Sequence, residues 1–378
     1  MATAKNRKKR IFMAVINDLE TDRRVDKVCS ALTDSGYDVT LIGRRLPCSK
    51  PISRPYRTIR MRLLFSKKAL FYAEYNLRIF FKMLFAHADM IYANDIDTLP
   101  GCAFAAKIRR KKLFLDAHEL FSEVPELLER NHVKHFWQWI ERTFIPMVDG
   151  ASTVCQSIAD IYKKSTGVEM VVVRNFAPVC NNPIVKRLNT TSKTLLYQGA
   201  VNIGRGIEWV IDALEYLENY KLIIAGDGDI RDEMESKAAS KTYSDRITFL
   251  GRVPPEELKI ITAKADLGLV LLENMGLNYY YSLPNRLSDF AQAGIPVIAT
   301  DFPEIENVVN SNKTGTLIGE EASDPIILAE KIKLAIDYWE QMPDNDYSHI
   351  FSDARKNLCW ENEKKSLIEA IDTIFSEK

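Results

Sequence analysis

Short runs of apolar, mostly β-branched residues alternate with longer amphipathic stretches along almost the whole chain, and they do so in two successive series. The first series predicts strands at 11–16 (IFMAVI), 38–43 (DVTLIG), 90–93 (MIYA), 112–117 (KLFLDA), 152–155 (STVC) and 170–173 (MVVV). Helical patterns fall between them at 21–35, 67–87, 98–110, 132–148 and 156–165. The second series begins again with TLLYQG, KLIIAGDG, RITFLG, LGLVLL and IPVIAT. A strand that is apolar on nearly every residue has to be covered on both faces, and the intervening helices are the cover. The fold class that follows is α/β, with two Rossmann-like parallel-sheet domains. Open parallel sheets bind ligands beyond the carboxyl ends of their strands, so two such domains are expected to face each other across a cleft, with the chemistry on the loops that follow strands.

The 378 residues suit two domains of ordinary size better than one core. Hydrophobic content of 46% excludes a disordered or fibrous chain. The net charge of zero conceals an asymmetry: residues 1–180 carry 30 Lys+Arg against 19 Asp+Glu, and the remainder 21 against 32. The reversal falls at 175–193, NFAPVCNNPIVKRLNTTSK, which lacks apolar periodicity and is expected to be the linker. The expected divisions are 1–178, 190–345 and a last helical segment, 346–378, with a second crossing near 342–353. Six widely spaced cysteines form no C-x-x-C pair, which argues against a disulfide scaffold and a structural zinc. The basic start MATAKNRKKR is followed by an apolar stretch too short for a secretory signal, and no uncharged run approaches the roughly 20 residues that span a bilayer. A reduced, cytoplasmic setting is the expectation.

In the second half, LIIAGDGD places Gly226 and Gly228 at a strand-to-helix turn. Such a turn either lets a ligand approach the backbone at a helix N-terminus or is only a tight connection. YQGAVNIGRG sets Gly199, Gly204 and Gly206 around Arg205, either a phosphate clamp or a solvated side chain on a loop. A long Tyr- and Asn-rich loop follows Leu272, and a helix is expected from Pro284. Asn285 and Arg286 open that helix, and a cation in a first turn opposes the helix dipole unless an anion binds there. Asp289, one turn on, suits ribose hydroxyls; the alternative is a surface helix with ordinary charges.

In the first half, LFLDAHEL puts Asp116, His118 and Glu119 past a strand end, where the imidazole can donate, accept or shuttle a proton. NDIDTLP offers Asp95-x-Asp97, which has the look of a metal pair but reads better as a helix cap, with Asn94 or Asp95 toward the ligand. Arg23 and Arg24 either meet an anionic acceptor or pair with Asp22 and Asp26 on a solvated helix.

Taken in order, the loop from Gly199 to Arg205-Gly206, then AGDGD, RITFLGRVPPEEL, AKADLGLVLL and AGIPVIATD, resemble a GT-B glycosyltransferase similar to glycosyltransferase family 4. DRRVDKVCSALTDSGYDVTLIG and LDAHEL extend the resemblance through the first half. It implies a nucleotide-diphospho-sugar held mainly by the second lobe, 190–345, and a hydroxyl acceptor held mainly by the first, 1–178, with retention of configuration and with 346–378 packing back on the first lobe. Arg205 matches the basic residue on the diphosphate, Asp289 the second acid of the Glu-x7-Glu motif that binds ribose, and His118 the strand-end His beside the reacting carbon. Gly199, Gly206, Gly226 and Gly228 give the nucleotide access; no cofactor and no metal is implied, with arginine and helix N-termini in place of a divalent ion. Arg24, Asp95 and Glu119 are the acceptor-side candidates.

The chain departs from the family pattern at three positions. Tyr281 stands where the first acid of the motif belongs, the second acid is shortened from Glu to Asp at Asp289, and Ala200 stands where an arginine follows the first glycine. Arg286 is placed to compensate as a phosphate contact. A transferase-like binding subunit without catalysis and a nucleotide-sugar epimerase are the rival readings. A dinucleotide oxidoreductase fits worse, since NDLETD follows the first strand instead of G-x-G-x-x-G.

The stretch 57–88 is rich in Phe, Leu, Tyr, Lys and Arg. It reads either as a surface lying peripherally on the inner face of an anionic membrane, which would make the acceptor a lipid-linked sugar, or as a helix packed on the sheet with a solvated basic face. No nucleic-acid motif accompanies the basic half.

Overall fold

The computed structural model describes residues 7–127, 130–182 and 191–377. These form two compact units, one containing the residues up to Asn175 together with those from Glu363 onward, the other Phe176–Asn362.

The first unit runs β1 (Arg10–Asp18), α1 (Arg23–Asp34), β2 (Asp38–Arg44), β3 (Arg57–Met61), α2 (Lys68–Phe85), β4 (Met90–Asn94), α3 (Leu99–Arg109), β5 (Lys112–Ala117), α4 (Asn131–Phe144), β6 (Gly150–Thr153), α5 (Gln156–Thr166) and β7 (Val171–Val172). Its described strands lie in the order β3-β2-β1-β4-β5-β6-β7, and all neighbouring pairs are parallel. The order reverses between β1 and β4, the switch point at which loops diverge and leave room for a ligand. β1 and β4 are buried on both faces, with Ile11, Met13, Met90 and Ile91 inaccessible to solvent. α1 is capped by Asp22, which accepts from the Val25 amide at 3.1 Å, and buries Val25, Val28, Cys29 and Leu32 on one face. One face of α2 packs on the sheet through Phe71, Tyr75, Ile79 and Met83, and the Tyr75 hydroxyl donates to the Val15 carbonyl at 2.6 Å.

The second unit runs β8 (Lys193–Gln198), α6 (Ile207–Ala213), β9 (Tyr220–Ala225), α7 (Arg231–Ala239), β10 (Ile247–Gly251), α8 (Pro255–Thr262), β11 (Leu267–Val270), α9 (Leu277–Tyr280), α10 (Arg286–Ala293), β12 (Val297–Thr300), α11 (Pro303–Asn312), β13 (Gly315–Ile318), α12 (Pro325–Gln341) and α13 (Asp344–Asn357). Its parallel strands are ordered β10-β9-β8-β11-β12-β13, with the reversal between β8 and β11. α14 (Trp360–Ser376) follows.

Two strands were not expected. β3 (RTIRM) is a half-exposed edge strand carrying Arg57 and Arg60, so it lacks the continuous apolar run that marks its neighbours. β13 (GTLI) is a short edge strand reached after a long helix. The linker expected at 175–193 has its residues 183–190 outside the described set. Its first part is fixed to α10: the Ala177 amide donates to Ser288 Oγ at 3.0 Å and the Cys180 amide to Gln292 Oε1 at 2.8 Å. The stretch 346–362 packs within the second unit, where Gln292 Nε2 donates to the Arg355 and Leu358 carbonyls at 2.9 Å. From Glu363 the chain belongs to the first unit: Glu363 Oε2 accepts from the Arg174 amide at 2.8 Å, and Phe375 stacks on Tyr37.

α10 is seated by Phe290, which is fully buried against β11. Gly268 makes the space, since a Cβ there would come within 2.7 Å of the Phe290 ring. Phe290→Ala should lower stability by roughly 3–5 kcal/mol through lost burial and the cavity left behind. Urea unfolding measures this, and an unchanged midpoint would contradict the packing described.

Candidate functional site

Each unit gathers polar side chains at the carboxyl ends of its central strands. In the first, Asp116 ends β5 and is fully buried. Arg24 of α1 meets it with two donors, Nε to Oδ2 at 3.0 Å and Nη2 to Oδ1 at 2.6 Å. Ser152 Oγ on β6 donates to Oδ1 at 2.9 Å. His118 Nε2 lies 3.1 Å from Oδ2, and its Nδ1 faces Asp95 at 3.8 Å. A carboxylate holding one ring nitrogen fixes the imidazole's orientation and stabilises its protonated form.

Burial opposes ionisation of Asp116, but the Arg24 charge, then His118 and the hydrogen bonds of both, outweigh it and hold the carboxyl well below its usual range. For His118 burial works against the charged ring, while the charge and hydrogen bond of Asp116, helped by Asp95, raise its pKa overall. Asp95 is pushed up by burial, with His118 opposing. Asp97 is raised well above the usual carboxylate range by burial and by the neighbouring Asp95 and Glu119 charges.

Asp95 does act as a cap, its carboxylate accepting from the Ile96 amide at 3.0 Å. It does so with φ +69°, a conformation seldom adopted without glycine, which turns the residue toward His118. Asn94 instead ties β4 to β1 by donating to the Ala14 carbonyl at 2.9 Å. Glu119 follows His118 half-buried, its carbonyl accepting from the Tyr162 hydroxyl at 3.0 Å. Arg24 corrects the expectation. It is 5% exposed, and beyond its two bonds to Asp116 it donates from Nη1 to the Val173 carbonyl at 3.0 Å, so its donors are turned inward and none is presented to an acceptor. Arg23 is the exposed member of the pair.

In the second unit, Gly199 follows β8 with φ +138°, and a Cβ on it would sit 3.3 Å from Arg286 Nη1. Gly226, after β9, abuts the Gly199 carbonyl so closely that any Cβ would overlap it, and Gly228 is pressed in the same way against the backbone of Val201. The two strand-end loops therefore touch backbone to backbone, which only glycine permits. Arg286 begins α10, is 6% exposed, lies 4.8 Å from the Tyr197 ring centroid and donates to the Leu271 carbonyl at 3.3 Å. Arg205, beside Gly206 at the start of α6, lies 4.5 Å from the Tyr279 ring centroid. Arg286 is depressed chiefly by burial, with Tyr197 opposing and the Arg205 charge adding to the depression. The two guanidinium groups thus repel each other, and the Nε of each is buried without a hydrogen-bond partner. Two adjacent cations with donors left unused have the chemistry that an anion would satisfy.

Asp289 is half-buried on α10 and accepts from Gln198 Nε2 at 3.1 Å. Gln198 Oε1 in turn accepts from the Thr262 hydroxyl at 2.7 Å, which fixes the amide's orientation. Gly199, Arg205, Gly206, Gly226, Gly228, Arg286 and Asp289 thus surround the end of β8; Asn285 stands exposed beside Arg286, its carbonyl accepting from Ser288 Oγ at 2.8 Å. Sequence reasoning missed Tyr197 and Tyr279, the rings beneath the arginines, and Gln198. Tyr197 reads in sequence as one more strand residue, whereas the Tyr-rich loop carrying Tyr279 was at least conspicuous. Among the described residues no cluster of three or more His, Cys, Asp or Glu is placed to hold a metal ion.

Residues 21–178 match the family model described as Glycosyltransferase Family 4, and residues 181–357 the model described as Glycosyl transferases group 1. Among curated proteins the chain is 25% identical over 202 residues to an alpha-monoglucosyldiacylglycerol synthase of Streptococcus pneumoniae, covering 48% of this chain and 44% of that protein. It is 24% identical over 253 residues to a Campylobacter jejuni alpha-1,4-N-acetyl-D-galactosaminyltransferase whose name specifies a diphospho-undecaprenol-linked acceptor, covering 65% of each. The alignments therefore span less than two thirds of either relative. Among solved structures, sucrose-phosphate synthase from Thermosynechococcus elongatus superposes with a TM-score of 0.77 at 17% identity, over 98% of this chain and 100% of that one. An Anabaena protein solved with UDP-glucose superposes at 0.72 and 13% identity, over 96% and 99%. At these identities the structural matches establish the fold.

The His118 arrangement fixes a pH dependence. A raised folded-state pKa means that pairing with Asp116 and Asp95 stabilises the fold fully below the ordinary histidine value, and that this contribution is lost as pH rises through the raised value. NMR titration should place His118 above about 6.5, and Asp116→Asn should bring it down. A wild-type titration at or below the ordinary value would contradict the geometry.

Proposed function

We propose that this chain, which belongs with the GT-B glycosyltransferases resembling family 4, transfers a sugar from a nucleotide-diphospho-sugar to an acceptor hydroxyl. The observation that carries the reading is the pair Arg205 and Arg286, two cations held side by side over tyrosine rings with buried, unpartnered Nε groups. A diphosphate brings the charge and the acceptors that this site lacks. As the glycosidic bond to the donor breaks, charge builds on the leaving diphosphate, and preorganised cations stabilise it at the moment it forms. Arg205 and Arg286 take that role here without a divalent ion. The glycine-only contacts at Gly226 and Gly228 hold the two strand-end loops together beside Gly199, where the nucleotide lies in this reading, and Asp289, oriented by Gln198, accepts from ribose hydroxyls.

His118 stands beside the transferred sugar, held by Asp116 and Asp95 in an orientation that can donate to a sugar oxygen. The acceptor hydroxyl attacks on the face from which the diphosphate departs, which retains configuration, and a phosphate oxygen takes its proton. The first unit binds the acceptor, a sugar or lipid-linked sugar in glycolipid or surface polysaccharide synthesis, in keeping with the glycolipid and the lipid-linked acceptor in the names of the two bacterial relatives. Peripheral membrane contact belongs to this reading; among the described residues no helix is long and apolar enough to cross a membrane. A second reading, a nucleotide-sugar-binding subunit without catalysis, is favoured by Tyr281 in place of the first motif acid.

A thermal-shift screen against a panel of nucleotide sugars should give a donor-specific rise in melting temperature, and silence across the panel would contradict the donor site. Arg205→Ala and Arg286→Ala should each weaken donor binding roughly 10- to 100-fold, the loss of charge-assisted hydrogen bonds. His118→Ala should lower kcat far more than donor affinity. Donor binding with no transfer or donor hydrolysis by the wild type would select the second reading.

A further inference from the structure

The packing of α2 on the sheet leaves its opposite side unaccounted for. Phe71, Tyr75, Ile79 and Met83 are buried, whereas Leu77, Phe81 and Phe85, recurring at four-residue spacing, are 59%, 49% and 77% exposed. The neighbouring helices continue the same surface. Phe104 and Ile108 on α3 and Trp139 on α4 are each half or more exposed. Successive right-handed crossovers from β3 through β4 and β5 to β6 move in one direction across the sheet, which puts α2, α3 and α4 on one face. Contacts confirm the adjacency: the Gly101 amide of α3 donates to Asn76 Oδ1 of α2 at 2.9 Å, and Phe104 of α3 meets Phe144 of α4 at 5.3 Å between ring centroids. Tyr72 of α2 lies 5.1 Å from Trp137 of α4.

Among the described residues of these three helices the exposed charges have one sign. Lys68 and Lys82 on α2, Lys107 on α3 and Arg142 on α4 are exposed, and Arg110 caps α3. The acidic residues of these helices are Glu74 and Glu141. Glu74 is taken up by the Leu64 and Phe65 amides and Arg78, and Glu141 is 6% exposed and accepts from the Ser122 amide. An exposed apolar stripe with exposed cations on the same helices complements a surface that is apolar within and anionic at its rim.

We propose that the outer face of α2, α3 and α4 is a docking surface for an anionic lipid bilayer, with Phe81, Phe85, Phe104 and Trp139 entering the interface and the lysines and arginines meeting lipid phosphates. This gives a location to the membrane contact in the glycosyltransferase reading, but it is measured without turnover. Co-sedimentation of the full chain with phosphatidylcholine vesicles, with and without phosphatidylglycerol, is the test. Strong binding is expected only with the anionic lipid, and it should weaken with salt. Lys82→Glu and Lys107→Glu should each reduce binding about fivefold or more. Phe81→Ser with Phe85→Ser should abolish it, with a melting temperature equal to wild type because both side chains lie outside the core.

Absence of vesicle binding, equal binding to both vesicle types, or full binding by the Phe81/Phe85 variant would overturn the proposal. So would a lipid-free dimer, seen by light scattering, that this variant dissolves, since the face would then belong to a second copy. Donor binding measured in the same preparations separates the two readings. Vesicle binding without any nucleotide-sugar response sinks the transferase reading alone, and the converse sinks this one.

Discussion

Two arginines held together, with no ion pair to an acid among the described residues, set the terms for the second unit. Arg286 is almost wholly buried, and its immediate partners are the Tyr197 ring, a tyrosine hydroxyl, the Leu271 carbonyl and the repelling charge of Arg205. Removing a guanidinium from water is costly, and a cation over an aromatic face recovers only a part of that cost, on the order of 1–2 kcal/mol. The surrounding fold sustains the arrangement. Phe290 anchors α10 on β11, the linker amides are bonded to Ser288 and Gln292, and Tyr347 donates to the Gly294 carbonyl at 2.6 Å. Anchoring of this kind is what an anion site needs if it is to meet developing charge without rearrangement.

The first unit uses the same residue type to the opposite end. Arg24 is as deeply buried as Arg286, but both oxygens of Asp116 and the Val173 carbonyl consume its donors. Its charge is spent on keeping Asp116 ionised, and Asp116 in turn holds His118. Arg24 is therefore a positioning residue acting through Asp116. The left-handed backbone at Asp95 belongs to the same arrangement, a local strain that brings a second carboxylate to the other ring nitrogen.

Much of this was legible in the sequence because it depends on short-range rules. Continuous apolar runs gave the parallel strands, and glycines at strand ends marked Gly199, Gly226 and Gly228 as places of close backbone approach. Arg286 stood out because a cation in a first helical turn opposes the dipole. What escaped depended on partners distant in sequence. Arg24 looked like a surface residue because its partner lies 92 residues away. Tyr197 is a strand residue until Arg286, 89 positions later, is laid over it. The edge strands β3 and β13 lacked the pattern since an edge is covered on fewer sides. The stretch 57–88 holds the edge strand β3 and the helix α2, which has both a core face and an exposed face, and composition alone does not separate them.

The central claim is that the second unit recognises its ligand through the phosphates. Calorimetric titration of a nucleoside diphosphate against the corresponding nucleoside, each at low and high salt, tests it directly. The account predicts that the diphosphate binds and weakens as salt rises, while the nucleoside binds poorly at both concentrations. Equal, salt-insensitive affinity for the two ligands would contradict it.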